Sequence, residues 1–222
     1  MNLEQIAGMV DLSCVRANSA IEEIDASVAL AEKYGVICLF ALPAHTPYLI
    51  EKSSHLTKTF VGGPVAFPAG AVTTKIKALE AKEMVDMGCK EIDMVNNIAW
   101  LKAGKYDKYA DDIKAVIDAC GVPVKVILES AHLNDFEIQK ASELCAQAGV
   151  EYVKTGTGWA DGGTTVKIIS LIKDAVGGAC KIKAAGGIKD LQTLMEIYDA
   201  GATRFGIGVR RAESIFSELE NK

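Results

Sequence analysis

Glycines divide this chain at intervals that leave room for little besides alternating helices and strands. Gly35, Gly88, Gly121, Gly149, Gly178 and Gly201 each follow a helix-like stretch and precede a short strand-like run. Glycine suits the left-handed residue that ends a helix, because it has no Cβ to clash there. The runs behind these glycines cover 36–41, 90–95, 123–128, 151–154, 181–184 and 203–205, and 9–12 and 57–61 bring the strand candidates to eight. Between them lie helical patterns. Leu191, Leu194, Met195 and Tyr198 share one face, as do Ile138, Ala141, Cys145 and Ala148 behind a capping box at Asn134 and Glu137. Ile76, Leu79, Met84 and Met87 give a looser third case. Strands alternating with helices of this length predict βαβ units and a parallel sheet. Eight such units in 222 residues predict an α/β protein: one (β/α)8 TIM barrel spanning 1–222, with a short helical segment before the first strand. An open doubly wound sheet is the alternative.

Composition narrows the function. Half of the residues are apolar, and 24 basic residues against 29 acidic ones give a net charge of −5. That balance argues against nucleic acid, which is bound mainly by neutralising phosphates with Lys and Arg. No stretch approaches the roughly 18–20 apolar residues of a membrane helix. The N-terminus has neither the basic region nor the apolar run of a secretion signal, so a cytoplasmic protein is expected. Cys14, Cys38, Cys89, Cys120, Cys145 and Cys180 form no C-x-x-C pair and read as buried thiols in a reducing compartment. His45, His55 and His132 are scattered, and no metal site is expected.

The chemistry shows in the strand alternation. Strands buried on both faces should be nearly continuous Val, Ile and Leu. Here Glu91 and Asp93 lie opposite Ile92 and Met94, Lys125 and Glu129 opposite Val124, Val126 and Leu128, Tyr152 and Lys154 opposite Val153, and Lys181 and Lys183 opposite Ile182 and Ala184. In a barrel the apolar set meets the outer helices, so the charged set points into the lumen. Alternatively, Glu91 and Lys181 are strand-end residues facing solvent. Lys154 and Lys183 occupy the carboxyl ends of consecutive strands, where barrel active sites are built. A lysine nucleophile must be neutral, and moving it from its ordinary pKa to near 7 takes about 4.6 kcal/mol. Burial and an adjacent like charge can supply this, which gives Lys183 a reason to stand beside Lys154. Asp93 is placed to carry the proton transfers.

Loops behind the last strands suit an anion. Ala184-Ala185-Gly186-Gly187-Ile188 runs into one helix and Gly206-Ile207-Gly208-Val209-Arg210-Arg211 into the next. Such loops present backbone N–H groups to phosphate at helix N-termini, and Arg210 or Arg211 adds charge. Thr155-Gly156-Thr157-Gly158 follows Lys154 in the same manner.

These residues resemble the deoxyribose-phosphate aldolases from near Asp11 to about Arg210. The matching segments are Met9-Val10-Asp11-Leu12-Ser13, Phe67-Pro68-x-Gly70, Glu91-Ile92-Asp93-Met94-Val95, Lys125-Val126-Ile127-Leu128-Glu129, Val153-Lys154-Thr155-Gly156-Thr157-Gly158, Lys183-x-x-Gly186-Gly187-Ile188 and Ala200-Gly201-Ala202-Thr203-Arg204-Phe205-Gly206. The resemblance implies a class I aldolase that needs neither metal nor organic cofactor. It would cleave 2-deoxy-D-ribose 5-phosphate reversibly into acetaldehyde and D-glyceraldehyde 3-phosphate. It implies Lys154 as the Schiff-base lysine, Lys183 as the lysine that perturbs it and Asp93 as the proton-transfer carboxylate. Asp11, Thr157, Gly158, Gly186, Gly187, Gly206, Gly208 and Arg210 are then expected to meet the substrate or its phosphate, and a homo-oligomer, dimeric or larger, is expected.

Three departures from the family pattern concern the substrate end. Gly156 stands where relatives have serine, Trp159 where many have Lys or Phe, and Gly206-Ile207-Gly208-Val209 lacks the two serines of the usual phosphate loop. Arg210 is the candidate replacement for their hydroxyls. A Schiff-base aldolase with another acceptor or donor is therefore the nearest alternative. A non-catalytic sugar-phosphate sensor has no use for two buried lysines, and neither does a barrel isomerase without a covalent step.

Overall fold

The computed structural model describes residues 1–220. Eight strands are present: β1 (Val10–Cys14), β2 (Cys38–Ala41), β3 (Phe60–Val65), β4 (Glu91–Val95), β5 (Val124–Ile127), β6 (Tyr152–Lys154), β7 (Lys181–Ala185) and β8 (Arg204–Ile207). They pair in sequence order, all parallel, and β8 returns to β1 with Gly206 opposite Asp11, which closes the barrel. The open-sheet alternative is thereby excluded. The helix α1 (Leu3–Ala7) precedes β1. The outer layer is α2 (Ile21–Tyr34), α3 (Thr46–Ser53), α4 (Thr74–Met87), α5 (Ile98–Lys102), α6 (Tyr106–Cys120), α7 (Asp135–Ala148), α8 (Val166–Val176), α9 (Leu191–Ala200) and α10 (Val209–Glu220).

The main core lies between these layers. Leu12, Leu39, Ile92, Val126, Val153, Ile182 and Phe205 point outward from the strands and pack with Ile24, Met84, Ile113, Ile169, Leu194 and Phe216 from the helices, all buried. Full burial of one such side chain contributes about 1.5–3 kcal/mol. Helix ends follow the punctuation: Gly35, Gly88, Gly121 and Gly149 cap their helices in the left-handed conformation, and Asn134 and Glu137 form the expected capping box. The cap of α8 is Gly177, one residue before the expected Gly178.

Two expectations need correction. The third strand runs over Phe60–Val65 and not 57–61. Its Gly62-Gly63-Pro64 reads as a turn, yet the glycines belong to the strand because both its faces are crowded. A Cβ on Gly62 would lie 2.2 Å from the Phe40 ring in the lumen, and one on Gly63 would lie 2.6 Å from Met84 Cβ outside. The second correction concerns α4, whose Ile76 and Leu79 are about half exposed while Lys77, Ala81 and Met84 form the buried face. Lys77 is fully buried and donates to Val95 O at the end of β4 (2.9 Å) and to Asp112 Oδ2 on α6 (2.6 Å). Thr74 Oγ1 donates to the other oxygen of Asp112. Lys77→Met strands Asp112 as a buried anion, so a loss of about 3–5 kcal/mol is expected. Urea unfolding of the single variant and of Lys77→Met/Asp112→Leu checks this: the double variant should recover most of the loss.

Candidate active site

The inward faces of β1, β4, β5, β6, β7 and β8 carry Asp11, Glu91, Asp93, Lys125, Lys154, Lys183 and Arg204, all buried. Strand alternation had placed most of these in the lumen. Lys181 is different. It lies at the amino end of β7, is exposed and pairs with Glu151 at 2.7 Å, so its solvent-facing reading is the correct one. Glu91, by contrast, is inside the network.

Asp93 is the hub. Its Oδ2 accepts from Lys154 Nζ and from Lys183 Nζ, both at 2.7 Å, and its Oδ1 accepts from Lys125 Nζ at 3.0 Å. Lys125 also reaches Glu91, and Lys183 also pairs with Asp11. Arg204 bridges Asp11 (Nε–Oδ1 2.6 Å) and Glu91 (2.8 Å). Burial alone would raise the Asp93 carboxyl, but the ammonium groups of Lys125, Lys154 and Lys183 outweigh it and hold the group well below the usual carboxylate range. Asp11 is lowered in the same way, burial being overcome by Lys183, Lys125 and Arg204. Burial works against Lys125 as well, yet Asp93 and Asp11 keep it above its ordinary value.

Basic groups outnumber acidic groups in this cluster by one. Charges held away from water are costly unless paired, so the arrangement is cheapest when one lysine is neutral. Geometry selects which. Lys183 and Arg204 each bridge two carboxylates and Lys125 reaches three, whereas Lys154 has one carboxylate oxygen, shared with Lys183. The Lys154 amine is accordingly lowered to about 8, first by burial, with Asp93 opposing and Lys183 reinforcing. Burial and an adjacent like charge are the two causes that the sequence reading named, and burial is the larger. Beside the lysines lies the Phe40 ring, 4.6 Å from Lys183 Nζ, 5.2 Å from Lys125 and 5.9 Å from Lys154. Its electron-rich face stabilises cations there, and Gly62 makes the room for it.

A cavity of about 430 Å³ opens above this network at the carboxyl ends of the strands. Lys154 and Asp93 reach its floor, and Thr157, Gly158, Gly186, Gly187, Gly206, Gly208 and Arg210 line it. Asp11 does not. It is fully buried and paired with Lys183 and Arg204. The mouth is basic on one side, where Arg16, Lys189 and Arg211 join Arg210. Gly187 has φ 78°, and a Cβ on it would lie 2.7 Å from Gly163 Cα, so that loop tolerates only glycine. The side chain of Asp190 already caps α9 by accepting from Thr193 N. Gly208, directly before α10, has no side chain with which to do the same, which leaves α10 as the helix start facing the cavity.

Sequence reasoning missed Arg204, Phe40, Arg16 and Lys189, and it gave Lys125 no role. Arg204 was legible, since Arg204 and Gly206 alternate with Phe205 and Ile207; Phe40 was not, because Cys38-Leu39-Phe40-Ala41 is apolar on both faces. Cys38 is fully buried next to Asp11, and burial followed by that carboxylate pushes its thiol well up, so it stays protonated. Ligand-type atoms of Asp11, Cys38 and Glu91 approach within 4.8 Å of one another. A divalent cation would meet Arg204 and Lys125 at the same place, and the donor set does not fit one.

The family model described as DeoC/LacD family aldolase matches residues 19–213. The chain is 38% identical over 219 residues to the deoxyribose-phosphate aldolase of Klebsiella pneumoniae subsp. pneumoniae, covering 97% of this chain and 88% of that protein. It superposes on the solved structure of QR15, an aldolase, with a TM-score of 0.90 and 34% identity over 97% of this chain and 96% of that one. The tetrameric deoxyribose phosphate aldolase of Aeropyrum pernix shares the fold at a TM-score of 0.86 and 22% identity, over 99% and 92% of the two chains.

Proposed function

The chain belongs to the DeoC/LacD family of aldolases, and on that premise we propose that Lys154 is the Schiff-base nucleophile of a lyase that cleaves 2-deoxy-D-ribose 5-phosphate reversibly into acetaldehyde and D-glyceraldehyde 3-phosphate. The observation that carries the assignment is the single, shared carboxylate oxygen available to Lys154 in a cluster with one basic group too many. The neutral amine attacks the aldehyde carbon, and loss of water leaves an iminium. Removal of the proton from the 3-hydroxyl breaks the C2–C3 bond. The bonding pair enters the iminium to give an enamine on Lys154, and D-glyceraldehyde 3-phosphate departs. Protonation at carbon and hydrolysis return acetaldehyde and the free amine. Asp93, at 2.7 Å from Lys154 Nζ, is the group positioned to take and return the protons of carbinolamine formation and breakdown. Lys183 keeps Asp93 oriented and adds a positive charge against protonation of Lys154.

The phosphate belongs at the basic side of the mouth. There Gly186, Gly187, Gly206 and Gly208 bring the backbone close, and Arg210 supplies charge. No helix among the described residues is long and apolar enough to cross a membrane, and cytoplasmic residence is part of the same reading. So is a homo-oligomer: Val72, Ile76 and Leu79 leave an apolar groove with Phe67 on the outer surface that suits burial against another subunit.

The test is borohydride reduction in the presence of acetaldehyde, followed by peptide mass mapping. The expected product is a reduced two-carbon adduct on Lys154. Its yield should rise with pH through about 8, as the ammonium becomes the nucleophilic amine, and then level off. An unmodified Lys154 under turnover conditions overturns the covalent reading.

A further inference from the structure

Trp159 is one of the two tryptophans of the chain, and its indole is 37% exposed at the rim of the cavity. An exposed indole is ordinarily free to rotate, but two contacts hold this one and a third holds its backbone. Its Nε1 donates to Val15 O, in the loop after β1, at 2.8 Å. Its ring meets that of Phe67, in the loop after β3, edge to face at 6.1 Å and 84°. Its own backbone N donates to Thr157 Oγ1 at 2.9 Å. Thr157 is anchored in turn by Glu129, whose carboxylate accepts from both the Thr157 N and the Thr157 hydroxyl. A single side chain therefore ties together the loops that leave β1, β3 and β6. Val15, Arg16, Phe67, Thr157 and Gly158 line the cavity, whereas the indole stands behind them.

We infer that Trp159 is a positioning residue: it latches the β1 and β3 loops to the loop that follows Lys154, and so fixes Arg16 at the phosphate end of the cavity. The inference rests on the aldolase reading for the identity of the ligand. The latch acts on how well the phosphorylated end is held and not on the covalent step, because nothing in it touches Lys154, Asp93 or Lys183. Only the backbone of Val15 is gripped, one residue before Arg16. Loosening it lets the guanidinium wander without removing its charge.

The experiment uses Trp159→Phe, which keeps an aromatic edge for Phe67 but loses the hydrogen bond to Val15 O, together with Trp159→Ala. One lost hydrogen bond is worth about 0.5–1.5 kcal/mol, so KM for 2-deoxy-D-ribose 5-phosphate should rise by about two- to twelvefold at most in Trp159→Phe. The value of kcat should stay within about twofold, and constants for unphosphorylated 2-deoxy-D-ribose should not move. Trapping of acetaldehyde on Lys154 should match that of the unaltered protein. A merely structural role would lower the melting temperature and leave KM alone. An unchanged KM in both variants overturns the latch, as does an equal loss with the unphosphorylated sugar. Should Trp159→Ala fail to fold, Trp159→Phe decides alone. Failure of the unaltered protein to trap acetaldehyde would instead remove the covalent reading, which is a separate result.

Discussion

Lys154→Met should lower turnover of 2-deoxy-D-ribose 5-phosphate by about 10⁴-fold or more, the usual scale for deleting a covalent nucleophile. It should do so in a protein at least as stable as the parent. The second half of that expectation separates this substitution from ordinary damage. Removing Lys154 leaves Lys125, Lys183 and Arg204 facing Asp11, Glu91 and Asp93, so the buried charges balance without any group giving up a proton. Burial no longer works against an unmatched ammonium, and methionine fills much of the volume of the lysine stem. Steady-state kinetics, borohydride trapping and thermal unfolding on one preparation check the claim. A variant that keeps a tenth of its activity, or melts several degrees lower, contradicts the account of the cluster.

Asp93→Asn should fail in the opposite manner. Turnover should fall by about 10²–10⁴-fold, the range for loss of a positioned acid–base group. Stability should fall as well, by about 3–5 kcal/mol, because three lysines lose their common anion. Yet the Lys154 amine should become easier to deprotonate. Asp93 is the group that holds its pKa up, while burial and Lys183 push it down. The pH dependence of acetaldehyde trapping should therefore shift below about 8 even as turnover collapses. Measuring both on the same variant distinguishes a proton-transfer role from mere activation of the amine. A trapping profile that moves upward would show that Asp93 has another function.

Most of this site was legible before the fold was known, and the reason is physical. Polar residues alternating with apolar ones on strands that must be buried leave few places for the charges except a shared interior, as with Asp93, Lys125 and Lys154. The rule failed where its premises did. Phe40 gives no alternation to read in an all-apolar strand, and Lys181 keeps the period but lies at the solvent end of its strand. Gly62 and Gly63 mimic a turn, because their lack of side chains serves close packing on both faces of β3. The α4 pattern misled for a different reason. Lys77 satisfies its ammonium through Asp112 and Val95, partners on other elements, so a charged residue took the inward face and left Ile76 and Leu79 outside. Arg16 and Trp159 belong to loops that only the closed ring brings together, so their proximity was not legible, although Trp159 stood out as a departure from the family pattern.

The pairing of β8 with β1 has a kinetic corollary. Arg204 and Asp11 are 193 positions apart, yet Arg204 Nε lies 2.6 Å from Asp11 Oδ1. Until the last strand docks, Asp11 and Glu91 lack their guanidinium, and the cluster lacks the excess basic group that favours a neutral Lys154. Appearance of turnover during renaturation is then a clock for completion of the ring. It should lag behind the recovery of helical signal, because the ring is complete only when the most distant parts of the chain meet.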